Sequence, residues 1–162
     1  MNARTNAASG ATTTPERELA ITRIFEAPRA MVFRAWTDPE QMGRWAAPHG
    51  FTRGEASSDV RVGGAYRACI RSPEGQDHWV HGEYREIVEP ERLVMTHGWL
   101  DEQGRPGHMT LITVTFEELE PRKTQMNFLQ TGFDSIASRD GHNGGWTSSF
   151  EQLAELLSET SR

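Results

Sequence analysis

Only one of the 162 residues is a cysteine, Cys69, so no intramolecular disulfide forms, a usage that suits a reducing cytoplasm. Long apolar runs are missing too. None approaches the ~18 residues of a membrane span, and no membrane association is expected. The opening stretch, MNARTNAASGATTTPERE, has no apolar centre, so it is not expected to be a secretory signal. Its Ala, Ser, Thr and Asn content predicts a disordered tail over 1–16 ahead of one domain over 17–160. Positive charge is scarce: 17 Lys and Arg face 23 Asp and Glu, giving a net charge of −6. The densest basic spot, Arg122–Lys123, follows its own acid, Glu120, so a polyanion-binding face and a nucleic-acid partner are excluded. Chelating pairs are lacking as well. His78 and His81 in "HWVH" point to opposite faces of a strand, and His49, His97, His108 and His142 are dispersed, so neither a metal nor a cofactor is expected.

What is present is bulk for one core: 36% hydrophobic residues, among them seven Phe and five Trp. "ELAITRIFEA" reads as a first strand. Pro28 suits the first turn of a helix that carries Val32, Phe33 and Trp36 at helical spacing. "TDPEQMGRW" restarts as a second short helix, with Asp38 as N-cap, Pro39 at the first position, and Met42 and Trp45 three apart. From about Phe51 to Phe133 the texture is strand and turn. Gly63–Gly64 begin one strand, Pro73–Glu74–Gly75 and Pro90–Glu91 turn the chain, and residues 101–107 form a loop. The short spacings favour antiparallel hairpins. Asp59 and Arg61, ahead of the Gly pair, read as a solvent-side ion pair at a tight turn.

Alternation assigns the inward face of each strand. Tyr66, Ala68 and Ile70 lie inward on one, then Val80, Gly82 and Tyr84, then Met95, His97 and Trp99. Ile112, Val114 and Phe116 follow, then Met126, Phe128 and Gln130. Gly82 is read as room for the last helix. That helix is expected over about 140–158, with His142, Trp146, Ser149, Phe150, Leu153 and Leu157 on one face. An interior Gly costs ~1 kcal/mol relative to Ala, so Gly144 and Gly145 need a reason. Two readings fit. In one, the glycines thin the wall of a cavity that His142 and Trp146 line; in the other, the helix packs tightly or starts only at Trp146.

The order of strand, two short helices, antiparallel strands and one long helix gives an α+β class. At this level the chain resembles the START-related helix-grip superfamily (SRPBCC), and within it the Hsp90-ATPase-activator-homologue-like family. The matching pieces are "FEAPRAMVFRAWTDPEQMGRW", "DVRVGGAYR", "HGEYREIVEPERLVMTHGW", "TLITVTFEE" and "GHNGGWTSSFEQLAELL", together about 20–157. Many relatives carry an acid after the histidine of "HxxGW"; here Asn143 follows His142 and an extra Gly intervenes. The resemblance implies a helix-grip fold, a curved antiparallel sheet wrapped around a long C-terminal helix, with a cavity between them for apolar small molecules. The eukaryotic co-chaperones of that name carry a further N-terminal domain without counterpart here, so ATPase activation is not expected to come with the name.

The expected function is therefore binding of an apolar or aromatic small molecule by a cytoplasmic monomer or homodimer. The candidate ligand-binding residues are Trp45, Tyr66, Ile70, Tyr84, Met95, His97, Trp99 and Ile112, with Val114, Met126, Phe128, Gln130, His142, Trp146 and Phe150 completing the set. Two alternatives stand beside it. A cyclase- or hydratase-like enzyme would use His97 or His142 as general acid/base, and a protein–protein module would show a large exposed apolar patch. No catalytic residue is assigned.

Overall fold

Period-two alternation builds the larger part of this molecule. The computed structural model describes residues 17–160; the tail expected over 1–16 lies outside them. In chain order the elements are β1 (Glu18–Phe25), α1 (Arg29–Thr37), α2 (Pro39–Trp45) and β2 (Thr52–Ser58). Then come β3 (Ala65–Arg71), β4 (Asp77–Val88), β5 (Arg92–Leu100), β6 (Pro106–Glu120), β7 (Lys123–Thr131) and α3 (Ile136–Thr160). The strands form one curved, open antiparallel sheet in the order β1-β7-β6-β5-β4-β3-β2. With the long helix across it, this is the α+β helix-grip arrangement.

The inward face runs as alternation predicts. Tyr66 lies opposite Gly82, Ala68 opposite Val80, and Val80 opposite Trp99. Met95 faces Ile112, which faces Gln130, while Val114 faces Phe128 and Phe116 faces Met126. Side chains of one face thus meet across five strands, the pairing that stabilises a half-buried sheet. Pro73–Glu74–Gly75 and Pro90–Glu91 fall between strands as expected.

Local chemistry explains the ends of the elements. Asp38 caps α2 by accepting from the Glu40 N–H, with Pro39 at the first position. Pro28 sits one step earlier than expected: at φ −63° and ψ 148° it is the extended N-cap of α1. Gly63 and Gly64 precede β3 rather than begin it, because Gly64 turns tightly against the Asp59 carbonyl and any Cβ would collide with that oxygen. Asp59 and Arg61 pair there at 2.7 Å, both exposed. Helix α3 starts at Ile136, a turn before the expected position. Ser135 supplies the cap: its Oγ accepts from the Ser138 N–H at 3.0 Å. Helix formation thus runs through Gly141, Gly144 and Gly145, and a start at Trp146 does not occur.

Strand β2 escaped the sequence reading. "TRGEASS" has no apolar face, is exposed along most of its length, and pairs only with β3 at the sheet edge, with an irregularity between Arg53 and Ala56.

Candidate ligand cavity

Helix α3 does different things at its two ends. Its C-terminal half packs as core: Phe150, Leu153, Leu156 and Leu157 are buried with Trp36, Trp45, Val114, Met126 and Phe128. Rings interlock there, with Phe128 edge-on to Phe150 at 5.4 Å and Trp36 edge-on to Trp45 at 4.9 Å. The N-terminal half instead borders a half-open cavity of ≈ 790 Å³ together with β2–β6, Trp36 of α1 and the segment after α2. Its sheet side is Tyr66, Ala68, Ile70, Val80, Met95 and Ile112; its helix side is His142, Gly144, Gly145 and Trp146. Beyond Gly144 a Cβ would meet nothing within 4 Å, and beyond Gly145 only Pro48, at 3.7 Å.

The candidate residues divide accordingly. Tyr66, Ile70, Met95, His97, Trp99, Ile112, His142 and Trp146 are on the cavity wall. Trp45, Tyr84, Val114, Met126, Phe128 and Phe150 are not; they are packed in the core around the other half of the helix. Trp45 is also tied inward, its Nε1 donating to the Ala35 carbonyl at 2.9 Å. Gln130 stands one layer behind the wall. It is fully buried, its Oε1 accepts from Trp146 Nε1 at 2.9 Å, and its Nε2 donates to Thr110 Oγ1 at 2.8 Å. Thr110 Oγ1 donates in turn to the His97 carbonyl at 2.8 Å. This satisfied chain holds the Trp146 ring in place rather than offering Gln130 to a ligand.

Gly82 serves a different neighbour from the expected helix. A Cβ there would collide with the Thr96 carbonyl and the Tyr66 ring. The missing side chain lets Tyr66 lie across β4 and donate its hydroxyl to Thr96 O at 2.6 Å. Burial, with a smaller contribution from Tyr84, pushes the Tyr66 phenol well above its ordinary range; burial alone takes Tyr84 to about 12. Both are neutral hydroxyls at any physiological pH.

Two histidines meet at one end of the cavity, with ring centroids 6.0 Å apart. His142 has both nitrogens engaged: Trp99 Nε1 donates to its Nε2 at 3.2 Å, and its Nδ1 lies 2.8 Å from the Ser138 carbonyl. An indole N–H only donates, so Nε2 is the acceptor and Nδ1 carries the proton. His97 is 8% exposed and its Nδ1 is buried without a partner. Burial first, and then His142 and His81, push its pKa down to about 3, so the ring is neutral. A second cavity-lining side chain, Trp36, also has a buried, unpartnered N–H.

The wall that sequence reasoning missed is the segment Ala46–Phe51, with Met42 behind it. Nothing in "AAPHG" marks it as a wall; its signal lies in α3. Ser149 Oγ donates to the Ala46 carbonyl at 2.8 Å, and Gln152 Nε2 donates to the Trp45 and Ala47 carbonyls. Ser148 Oγ accepts from the His49 backbone N–H and lies 2.8 Å from His49 Nδ1. Three polar side chains within five residues of the helix thus clamp the segment over the cavity. Among the described residues, no three His, Cys, Asp or Glu side chains come together as a metal site.

A sheet closed by one long helix over such a cavity defines the START-related helix-grip class. Residues 26–158 match the family model "Activator of Hsp90 ATPase homolog 1-like protein", and the chain belongs to that family. Among solved structures, a protein from Chromobacterium violaceum is 30% identical, with 87% of this chain and 96% of that one covered and a TM-score of 0.79. A protein from Rhizobium leguminosarum is also 30% identical, over 88% and 94%, with a TM-score of 0.76. An AHSA1 protein from Silicibacter pomeroyi is 23% identical and shares the fold over 88% and 99%, with a TM-score of 0.80. No curated protein sequence matches the chain significantly.

Proposed function

We propose that the protein binds an apolar or aromatic small molecule in the cavity beneath the N-terminal half of α3. The observation that carries this reading is the cavity itself: ≈ 790 Å³, floored by aliphatic side chains and walled by Trp36, Trp99 and Trp146. That size and character are those of small-molecule sites. The reading takes no metal, cofactor, nucleic acid or membrane, and a monomer or homodimer in the cytoplasm accommodates it; no helix of the described residues is long and apolar enough to cross a membrane.

The enzyme alternative has less behind it. A general acid works best with a pKa near the operating pH, whereas His97 sits at about 3 and both nitrogens of His142 already have partners. The test is a titration of the purified protein with decanol and with naphthalene, followed by tryptophan emission. Saturable quenching or enhancement by either supports the reading. No saturable response to either overturns it.

A further inference from the structure

Beyond the apolar walls, the rim of the cavity carries one fixed positive charge. Its lining contains four histidines and one arginine, Arg53, and no Asp or Glu at all, in a chain where acids outnumber bases 23 to 17. Arg53 and His78 occupy one row across the sheet: Arg53 lies opposite Ile70 on β3, and Ile70 lies opposite His78 on β4. Two strand spacings, about 10 Å, separate the outer members of that row. All three side chains line the cavity.

Neither the Arg53 guanidinium nor the His78 ring has a hydrogen bond or ion pair among the described residues. The contrast with neighbouring arginines is direct: Arg61 holds Asp59, Arg71 holds Asp77, and Arg92 holds Glu86. Arg53 instead lays its guanidinium against Gly43 of α2, where any side chain would collide with it. Gly43 thus makes room for the cation to span the gap between the edge strand and α2. Two neighbouring acids are engaged by other cations. Asp77, next to His78 in sequence, is bound by Arg71 at 2.7 Å, and Glu151 reaches the rim only at His49, 3.9 Å away. His78 is held as a plate, 6.5 Å from the Phe51 ring and edge-on to Trp99 at 6.2 Å, with its nitrogens free.

We infer that the ligand is amphipathic: an apolar body on the floor of Ile70, Val80, Met95 and Ile112, and a carboxylate at the rim, received by Arg53 and His78. This rests on the binding function proposed above and names its substrate class. A guanidinium is permanently charged and presents paired N–H donors that match a carboxylate. One fixed positive charge matches a monoanion better than a dianionic phosphate.

The test uses the full chain and three probes with the same chain length: decanoate, decanol and decyl phosphate. Binding is followed by tryptophan emission at low and high salt. Decanoate is expected to bind at least about fivefold tighter than decanol, the scale of a charge-assisted contact at a partly solvated site. The preference shrinks at high salt. Arg53→Met, at an exposed position, still melts cooperatively and loses the preference for decanoate over decanol, whatever its absolute affinity for decanol. Equal affinities for decanoate and decanol in the wild type, or a preference that survives Arg53→Met, overturn the carboxylate site while leaving cavity binding intact. Tighter binding of decyl phosphate than of decanoate overturns the choice of head group. Binding of none of the three overturns this inference, and the function it rests on falls with it only where naphthalene also fails to bind.

Discussion

Trp99 on β5 donates its indole N–H to His142 Nε2 on α3 across 3.2 Å, and this bond pins the first turns of the helix to the sheet. With Nδ1 turned to the Ser138 carbonyl, His142 is a bracket for the cavity wall rather than a free polar contact. His142→Phe therefore loses two part-exposed hydrogen bonds and about 1–2 kcal/mol of stability. Because no nitrogen was available to a ligand, its affinities for polar-tipped and purely apolar probes shift together. Fluorescence titrations of both proteins check this; a loss confined to polar-tipped probes contradicts it.

His97 makes stability depend on pH. Its folded pKa is near 3 and its unfolded value is the ordinary 6.5. Between those values the unfolded chain takes up a proton that the folded one refuses, so stability falls as pH falls, by up to about 1.4 kcal/mol per unit for this one site. Above pH 6.5 and below 3 the dependence on this group vanishes. Urea midpoints of the wild type and His97→Gln between pH 7 and pH 4 check it; the variant has the flatter slope. Parallel slopes contradict a buried neutral ring.

Trp146 borders the cavity on one side and packs on the other, 4.8 Å from Phe128 and 5.6 Å from Phe150. Its truncation to Ala falls at the low end of large aromatic deletions, about 3 kcal/mol. Trp146→Phe keeps the ring but strands the buried Gln130 Oε1, at a cost of about 1–3 kcal/mol. Denaturant midpoints measure both. A Trp146→Phe variant as stable as the wild type contradicts the role given to the Gln130 chain.

Two glycines respond in opposite ways to alanine. Gly144 is helical, with open space where a Cβ would stand, so Gly144→Ala stabilises by about 0.5–1 kcal/mol while narrowing the cavity. Gly82→Ala drives a methyl into the Thr96 carbonyl and the Tyr66 ring and destabilises by about 2 kcal/mol or more. Thermal melting of both decides it, and like-signed shifts contradict the account of the inner face.

The inward face was legible because its signal is local. Alternation in "TLITVTF" and "MNFLQ" survives whatever packs against it, and five strands kept the expected face. Which inward residues line a cavity was not legible, since that depends on where α3 stands off the sheet. Met126 and His97 alternate alike, yet one meets the leucine end of the helix and the other its glycine end. The helix start was hidden because Gly141, Gly144 and Gly145 read as breakers, whereas the cap at Ser135 lies a turn earlier. The wall at 46–51 depends on side-chain bonds from Ser148, Ser149 and Gln152 that span about a hundred residues, and no short-range pattern reports such bonds.

The central claim, that this cavity holds a ligand, is tested most directly by filling it. Ala68 projects from β3 into the cavity floor, and Ala68→Trp occupies that space. Decanol binding is measured by calorimetry in the wild type and in this variant, with melting curves for both. The account predicts saturable one-to-one binding in the wild type and at least about tenfold weaker binding in a variant that still melts cooperatively, the loss of about 1.4 kcal/mol or more. Equal binding in the two proteins places the ligand elsewhere and contradicts it.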